Sequence, residues 1–260
     1  MSAGMDAARR FGGVSRLYGA KGLAKLKAAH ICVIGIGGVG SWAAEALARN
    51  AVGAITLIDL DNIAESNVNR QLHAVDGAFG KAKVTAMAER IRLINPSASV
   101  NEIEDFVTIE NVSSTLNQSF DGVIDCIDDA KAKAAIANFC MANSISLVMT
   151  GAAGGRLDAT RIKQADLSQV SHDKLLAKVR NLLRRDYGFN NGHSTKGKSP
   201  KLDIQCVYSD EDVIKPDSAC EVSETAMTGL NCAGYGSSVC VTAPFGFVAA
   251  GLLLQQILND

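Results

Sequence analysis

Six residues, Gly35-Ile36-Gly37-Gly38-Val39-Gly40, constrain this chain more than any other stretch, because their G-x-G-x-x-G pattern joins two segments of opposite character. Ahead of them, His30 to Gly35 (HICVIG) is an unbroken apolar run closed by glycine, the pattern of a strand buried on both faces. Behind them, Ser41 to Asn50 (SWAAEALARN) has helical spacing and strong helix formers, and Ala54 to Asp61 (AITLIDLD) reads as a second buried strand. In such a βαβ unit, Gly35, Gly37, Gly38 and Gly40 let the backbone approach a phosphate, while the helix N-terminus offers free N–H groups and partial positive charge. Asp59 follows nineteen residues after Gly40, at the end of the second strand, where a carboxylate accepts hydrogen bonds from ribose hydroxyls. The pair fits NAD or ATP equally, and a tight glycine turn without ligand is the bland alternative.

The alternation continues. Lys81 to Leu93 forms a helix ended by Asn95-Pro96; Ser99 to Ile103, Gly122 to Ile127 and Ile145 to Thr150 read as strands, and Lys131 to Asn143 as a helix. The expected fold is α/β: a Rossmann-like, doubly wound, mainly parallel sheet with a C-terminal extension containing a mobile basic loop. At 260 residues this is a single domain, with a nucleotide-binding core over about 28–155 and an extension over about 156–260. One stretch challenges a soluble reading, since Val239 to Leu258 carries no charge and is long enough to cross a bilayer. Thr242, Pro244, Gly246, Gln255 and Gln256 interrupt it and no Lys or Arg cluster flanks it, so a buried strand followed by a helix is expected rather than a membrane span.

Charge is balanced overall and segregated locally. With a net charge of −1, nucleic-acid contact has to use a local patch, which excludes a histone-like binder. Between Ser171 and Lys201 eight basic residues (Lys174, Lys178, Arg180, Arg184, Arg185, Lys196, Lys198 and Lys201) face only Asp173 and Asp186, whereas Leu202 to Glu224 holds seven acids and only Lys215. Leu175, Val179, Leu182 and Leu183 fall at helical spacing, so the basic residues line the far face of an amphipathic helix. Gly188 to Pro200 has no apolar periodicity and is expected to be the mobile loop. Gly192, Gly197, Lys198 and Ser199 match a phosphate-binding G-x-x-x-x-G-K-S pattern, but no apolar strand precedes them and Pro200 follows, so the cradle lacks its architecture. The seven cysteines contain no C-x-x-C pair and follow an N-terminus without an apolar signal segment, which points to a reduced, cytoplasmic protein.

The residues after Asp59 separate the two nucleotides. Asp61, Asn67, Asn69, Arg70 and Gln71 lie in DLDNIAESNVNRQ, with Lys81 and Lys83 in GKAKV, a set that a nicotinamide enzyme does not need. Phosphoryl and nucleotidyl transfer depend on cations that neutralise charge developing on phosphate, a role for Arg70 and Lys83. A magnesium ion needs a carboxylate near a strand's C-terminal end, and DCIDD supplies one. Asp128 is the candidate ligand, while Asp125, inside the apolar run, makes structural hydrogen bonds.

In order, GIGGVGS, LIDLD, NVNRQ, GKAKV, INP and DCIDD resemble the ATP-dependent activating enzymes of the ubiquitin-activating superfamily. The resemblance implies that the glycine loop, Asp59, Asp61, Asn69 and Gln71 hold ATP, that Arg70 and Lys83 contact its phosphates, and that Asp128 binds Mg2+. It implies that a substrate carboxylate attacks the α-phosphorus, pyrophosphate leaves, and an acyl-adenylate results. The branch that activates sulfur-carrier proteins usually holds structural zinc on two C-x-x-C pairs, absent here. RFGG with RLYG, VMTGAAGG, LDIQCVYS and CAGYG with TAPFGF instead resemble the tRNA-modifying branch over nearly the full length. That resemblance implies adenylation of the carboxylate of threonylcarbamoyladenosine beside the anticodon, ring closure, and net loss of water. An activator of a small carrier protein is the alternative, and a NAD-dependent oxidoreductase or non-catalytic nucleotide-binding adaptor the third class.

The resemblance further implies a homodimer, with substrate binding and dimerisation in the extension, and leaves a sulfur-transfer protein as a further partner. Activators of this superfamily often reach across the dimer with an arginine; here the matching position is Gly13, and Arg16 is the nearest substitute. Lys178, Arg180, Arg184, Arg185, Lys196, Lys198 and Lys201 are the candidate tRNA contacts, with Arg9, Arg10 and Arg16 the alternative surface. Cys232, in the glycine-rich CAGYG, is the candidate carrier cysteine, although free cysteine is more often buried and inert and an intramolecular cyclisation needs no carrier.

Overall fold

The computed structural model describes residues 7–189, 200–215 and 235–259. The buried runs read in the sequence become the parallel strands β1 (His30–Ile34), β2 (Ala54–Ile58), β3 (Ser99–Ile103), β4 (Gly122–Asp125) and β5 (Ser146–Thr150). Two more, β6 (Ile162–Asp166) and β7 (Gln205–Ser209), complete a seven-stranded sheet of order β3-β2-β1-β4-β5-β7-β6, in which only the β6–β7 pair is antiparallel. The order reverses direction between β1 and β4, the crevice where doubly wound sheets bind ligands. Central strands bury both faces and are therefore apolar throughout, whereas edge strand β3 keeps Asn101 and Glu102 exposed.

Two cores flank the sheet. On one face lie α1 (Ala7–Ala28), α2 (Gly40–Arg49), α3 (Lys83–Ile94) and α7 (Val239–Asn259), joined by Leu26, Leu47, Met87, Phe245 and Leu253. On the other lie α4 (Val112–Thr115), α5 (Ala130–Ala142) and α6 (Lys174–Asp186), joined by Val112, Ile136, Leu176 and Leu183. Gly19 (φ 74°) kinks helix α1.

The expectation for Val239 to Leu258 is corrected: the stretch is one continuous helix, not a strand followed by a helix. When every residue is apolar the sequence has no period to read. Pro244 falls in the second turn of α7 and removes only one ladder bond. Half of the helix's apolar window is buried, and the backbone comes so close to α2 that a Cβ on Gly246 would lie 2.4 Å from the Val39 carbonyl oxygen. Although long and apolar enough to cross a membrane, α7 packs as a core helix, with Phe247 and Val248 exposed.

Candidate active site

The site is built where β1, β2 and β4 end side by side. Gly35 turns the chain out of β1 with φ +85°, where a Cβ would crowd Ile127 at 3.0 Å; at Gly40 a Cβ would lie 1.8 Å from the Gly35 carbonyl oxygen. These two glycines are thus dictated by backbone packing. The start of α2 has no side-chain cap: the Ser41 amide donates back to the Gly37 carbonyl at 3.1 Å, and the helix N-terminus lies at the end of the glycine loop.

Asp59 is fixed against this loop. Its Oδ2 accepts from the Ile36 amide at 2.7 Å and its Oδ1 from the Asp61 amide at 2.8 Å. Burial raises its pKa, while the Lys83 ammonium and the two amides oppose the rise. Lys83, nearly buried, places Nζ 2.6 Å from Asp61 Oδ2 and 3.8 Å from Asp59 Oδ1, so Asp59, Asp61 and Lys83 form one charged cluster. Arg70 lies over the loop, where a Cβ on Gly38 would come within 3.1 Å of its side chain. Its Nη1 donates to the Ser66 carbonyl at 2.8 Å and to Asn69 Oδ1 at 2.9 Å, and burial lowers its pKa. The Asn69 amide donates to the Ser237 carbonyl at 2.8 Å, which ties the NVNRQ loop to the approach of α7. Gln71 is buried with Oε1 unpartnered, near Gly37.

Asp128 stands half-buried past the end of β4, at the mouth of the same crevice. Asp125, as its sequence context indicated, is structural: fully buried, it meets Lys133 Nζ at 2.9 Å and accepts from the Ile127 amide at 3.1 Å. Burial pushes its carboxyl up, against the pull of Lys133. Asp129 caps α5 through the Ala132 amide at 2.7 Å. Among the described residues no group of three His, Cys, Asp or Glu could hold a metal by itself.

Sequence reasoning missed three residues. Trp42 packs edge-on against Phe247, and its indole donates to the Arg70 carbonyl at 2.9 Å. Lys133, on α5, reaches the buried Asp125 carboxylate. His73 is buried beside the cluster, with both ring nitrogens unpartnered among the described residues. Burial, reinforced by Lys83, pushes its imidazole down to about 4 from 6.5. Between those values the unfolded chain takes up a proton that the folded chain refuses, so stability falls as pH drops through this window by roughly 1.4 kcal/mol per unit. Going from pH 7 to pH 5, the protein is expected to lose roughly 2 kcal/mol more than His73→Gln in urea unfolding; equal losses would contradict the neutral imidazole.

The basic candidates are not brought together uniformly. Lys178 and Lys201 are exposed, as is Arg185, which pairs with Asp186 at 2.6 Å. Arg184 is half-buried, and Arg180 turns inward to donate to the carbonyls of Leu167 (3.1 Å) and Val170 (2.9 Å), leaving it poorly placed for phosphate. Lys196, Lys198, the mobile loop expected around them, the phosphate-loop look-alike and Cys232 lie outside the described residues. Of the alternative surface, Arg10 donates to the last carbonyls of α3 and Arg16 is exposed. Cys32, Cys126, Cys140 and Cys206 are buried or nearly so, with Cys126 and Cys140 pushed up to about 12 by burial, which makes poor nucleophiles.

A model of the ThiF family matches residues 13–259. The chain is 47% identical over 254 residues to the tRNA threonylcarbamoyladenosine dehydratase of Haemophilus influenzae, covering 96% of this chain and 94% of that one. It is 46% identical over 256 residues to the Escherichia coli enzyme of the same name. The crystal structure of the Escherichia coli enzyme in complex with ATP superimposes with a TM-score of 0.86 at 45% identity, over 98% of this chain and 96% of that one.

Proposed function

The chain belongs to the ThiF family, and we infer from this membership that it acts as its full-length relatives are named: an ATP-dependent enzyme that dehydrates N6-threonylcarbamoyladenosine in tRNA. One observation supports the reading: Asp59 and Lys83 form one charged cluster beside the glycine loop, where β1 and β2 end, in a fold matched nearly end to end by an ATP complex.

Each residue has a part in the chemistry. The α2 amides receive phosphate, and Asp59 receives the ribose hydroxyls. Arg70 and Lys83 spread positive charge over phosphates whose negative charge grows as pyrophosphate departs. For Lys83 this requires Nζ to turn from Asp61 towards the nucleotide. Mg2+ is commonly held by one or two carboxylates together with substrate phosphates, and Asp128 would supply one such carboxylate; when bound, the ion would neutralise further phosphate charge. Adenylation turns a carboxylate oxygen into a good leaving group, and the neighbouring group of the same modification then closes the ring by proximity. Mass spectrometry of tRNA nucleosides after incubation with ATP tests the reading: the modified adenosine should lose the mass of one water. ATP–pyrophosphate exchange stimulated only by a Gly-Gly-ended protein would favour a carrier activator instead.

The exposed cations of α6, with Lys201 ahead of β7, are the proposed landing surface for tRNA. Lys178→Glu combined with Arg185→Glu is expected to weaken tRNA binding and to flatten the dependence of log affinity on log salt by about 0.7 to 0.9 for each phosphate neutralised by the wild type and no longer by the variant, with ATP affinity unchanged. An unaltered salt slope would move the surface to the N-terminal arginines. The protein is further proposed to be a cytoplasmic homodimer, with the exposed stripe of α7 around Phe247 and Val248 in its interface. Light scattering at micromolar concentration reads that state directly.

A further inference from the structure

Arg156 and Lys133 head the fully buried side chains of this protein, and they are treated very differently. Lys133 has a carboxylate 2.9 Å away. Arg156, 2% exposed, has none within ion-pairing distance among the described residues; Nη2 donates to the His172 carbonyl at 3.0 Å, while Nε and Nη1 find no acceptor. A guanidinium does not give up its proton, so this is a buried charge without a counter-charge among the described residues, a situation that folds ordinarily resolve by pairing.

The acid beside its one partner is otherwise engaged. Asp173 gives Oδ1 to the Leu176 amide and Oδ2 to the Ala152 amide, both at 2.9 Å, and a Cβ on Gly151 would strike Oδ2 at 2.2 Å. His172, whose carbonyl meets Arg156, sits at φ 59°, a conformation costly for a non-glycine residue. Arg156 closes the segment Gly151–Gly155 that leaves β5, beside the end of β4 where Asp128 stands. The Gly155 amide donates to the Gly236 carbonyl at 2.8 Å, and the next residue, Ser237, accepts from Asn69 at 2.8 Å, so this segment is two hydrogen-bonded steps from the phosphate-contacting loop.

We propose that Arg156 is an oxyanion receptor on the substrate side of this crevice, and that its ligand is the carboxylate of the modified adenosine awaiting adenylation. The assignment rests on the reading of the site as a tRNA-modifying adenylation centre. A backbone phosphate of the tRNA shares the same chemistry, and the experiment separates the two. Affinities of the wild type, Arg156→Gln and Arg156→Lys are measured for ATP, for tRNA carrying threonylcarbamoyladenosine and for the same tRNA without the modification. Removing one member of a buried charge pair should weaken binding of the modified tRNA by about thirtyfold or more in Arg156→Gln. Binding of unmodified tRNA and of ATP should not change, and Arg156→Lys should recover part of the loss. The melting temperature of Arg156→Gln should stay level or rise, because an uncompensated charge has been removed. Equal losses on both tRNAs would reassign the residue to a phosphate and overturn the carboxylate assignment. A lower melting temperature with unchanged tRNA affinities would make Arg156 a packing residue. If the wild type itself converts no modified adenosine with ATP, the functional reading fails, whatever Arg156 does.

Discussion

Lys83→Ala is expected to lower ATP-dependent turnover by about a hundredfold or more, and Arg70→Ala and Asp128→Ala should each follow it. Removing one oriented charge from a nucleotidyl-transfer transition state typically costs about 3 to 4 kcal/mol. Lys83 should show the largest effect, because its ammonium is nearly buried and lies between Asp59 and Asp61. Without it, two carboxylates are left facing the phosphates. The folds should persist in all three variants, since Arg70 and Asp128 stand at the mouth of the crevice and Lys83 projects into it. Steady-state turnover with far-UV circular dichroism as a control reads both quantities. Turnover of Asp128→Ala within threefold of wild type would remove Asp128 from the site.

The second large effect lies beneath the site. Lys133→Met leaves Asp125 fully buried beside a side chain of similar volume without charge, and breaking a buried pair in this way costs about 3 to 5 kcal/mol. The loss should shrink as pH falls, because burial already raises the Asp125 carboxyl and without Lys133 it protonates more readily. Asp125→Asn combined with Lys133→Met should recover most of the stability, because no charge then remains in the core. Urea unfolding of both variants at two pH values measures this. A single-variant loss below about 1 kcal/mol would mean that water reaches the pair.

The backbone frame of the proposed site was largely legible in the sequence, because it is carried by short local patterns. Gly35 and Gly40 are forced by a turn that any residue with a Cβ would break, and Asp59 is set by its distance along one βαβ unit. The buried strands were equally legible, since strands covered on both faces are apolar throughout. Lys133 was not: helical periodicity gives a face, and whether that face meets Asp125 depends on how α5 packs against β4. Arg180 counted as one of a basic row, although its guanidinium bends back to the carbonyls of Leu167 and Val170.

Composition and spacing by themselves determined the sheet class and the glycine turn that leaves β1, and they singled out the cations proposed to face phosphate, because each depends on residues within about one βαβ unit of one another. Only the tertiary structure decided that α7 is a single core helix against α2, that β7 and β6 extend the sheet beyond β5, and that Arg156 is enclosed without a counter-charge among the described residues. The physical reason is common to all three: they are set by contacts between segments far apart in the chain, and burial by a distant segment leaves no local periodicity for the sequence to display.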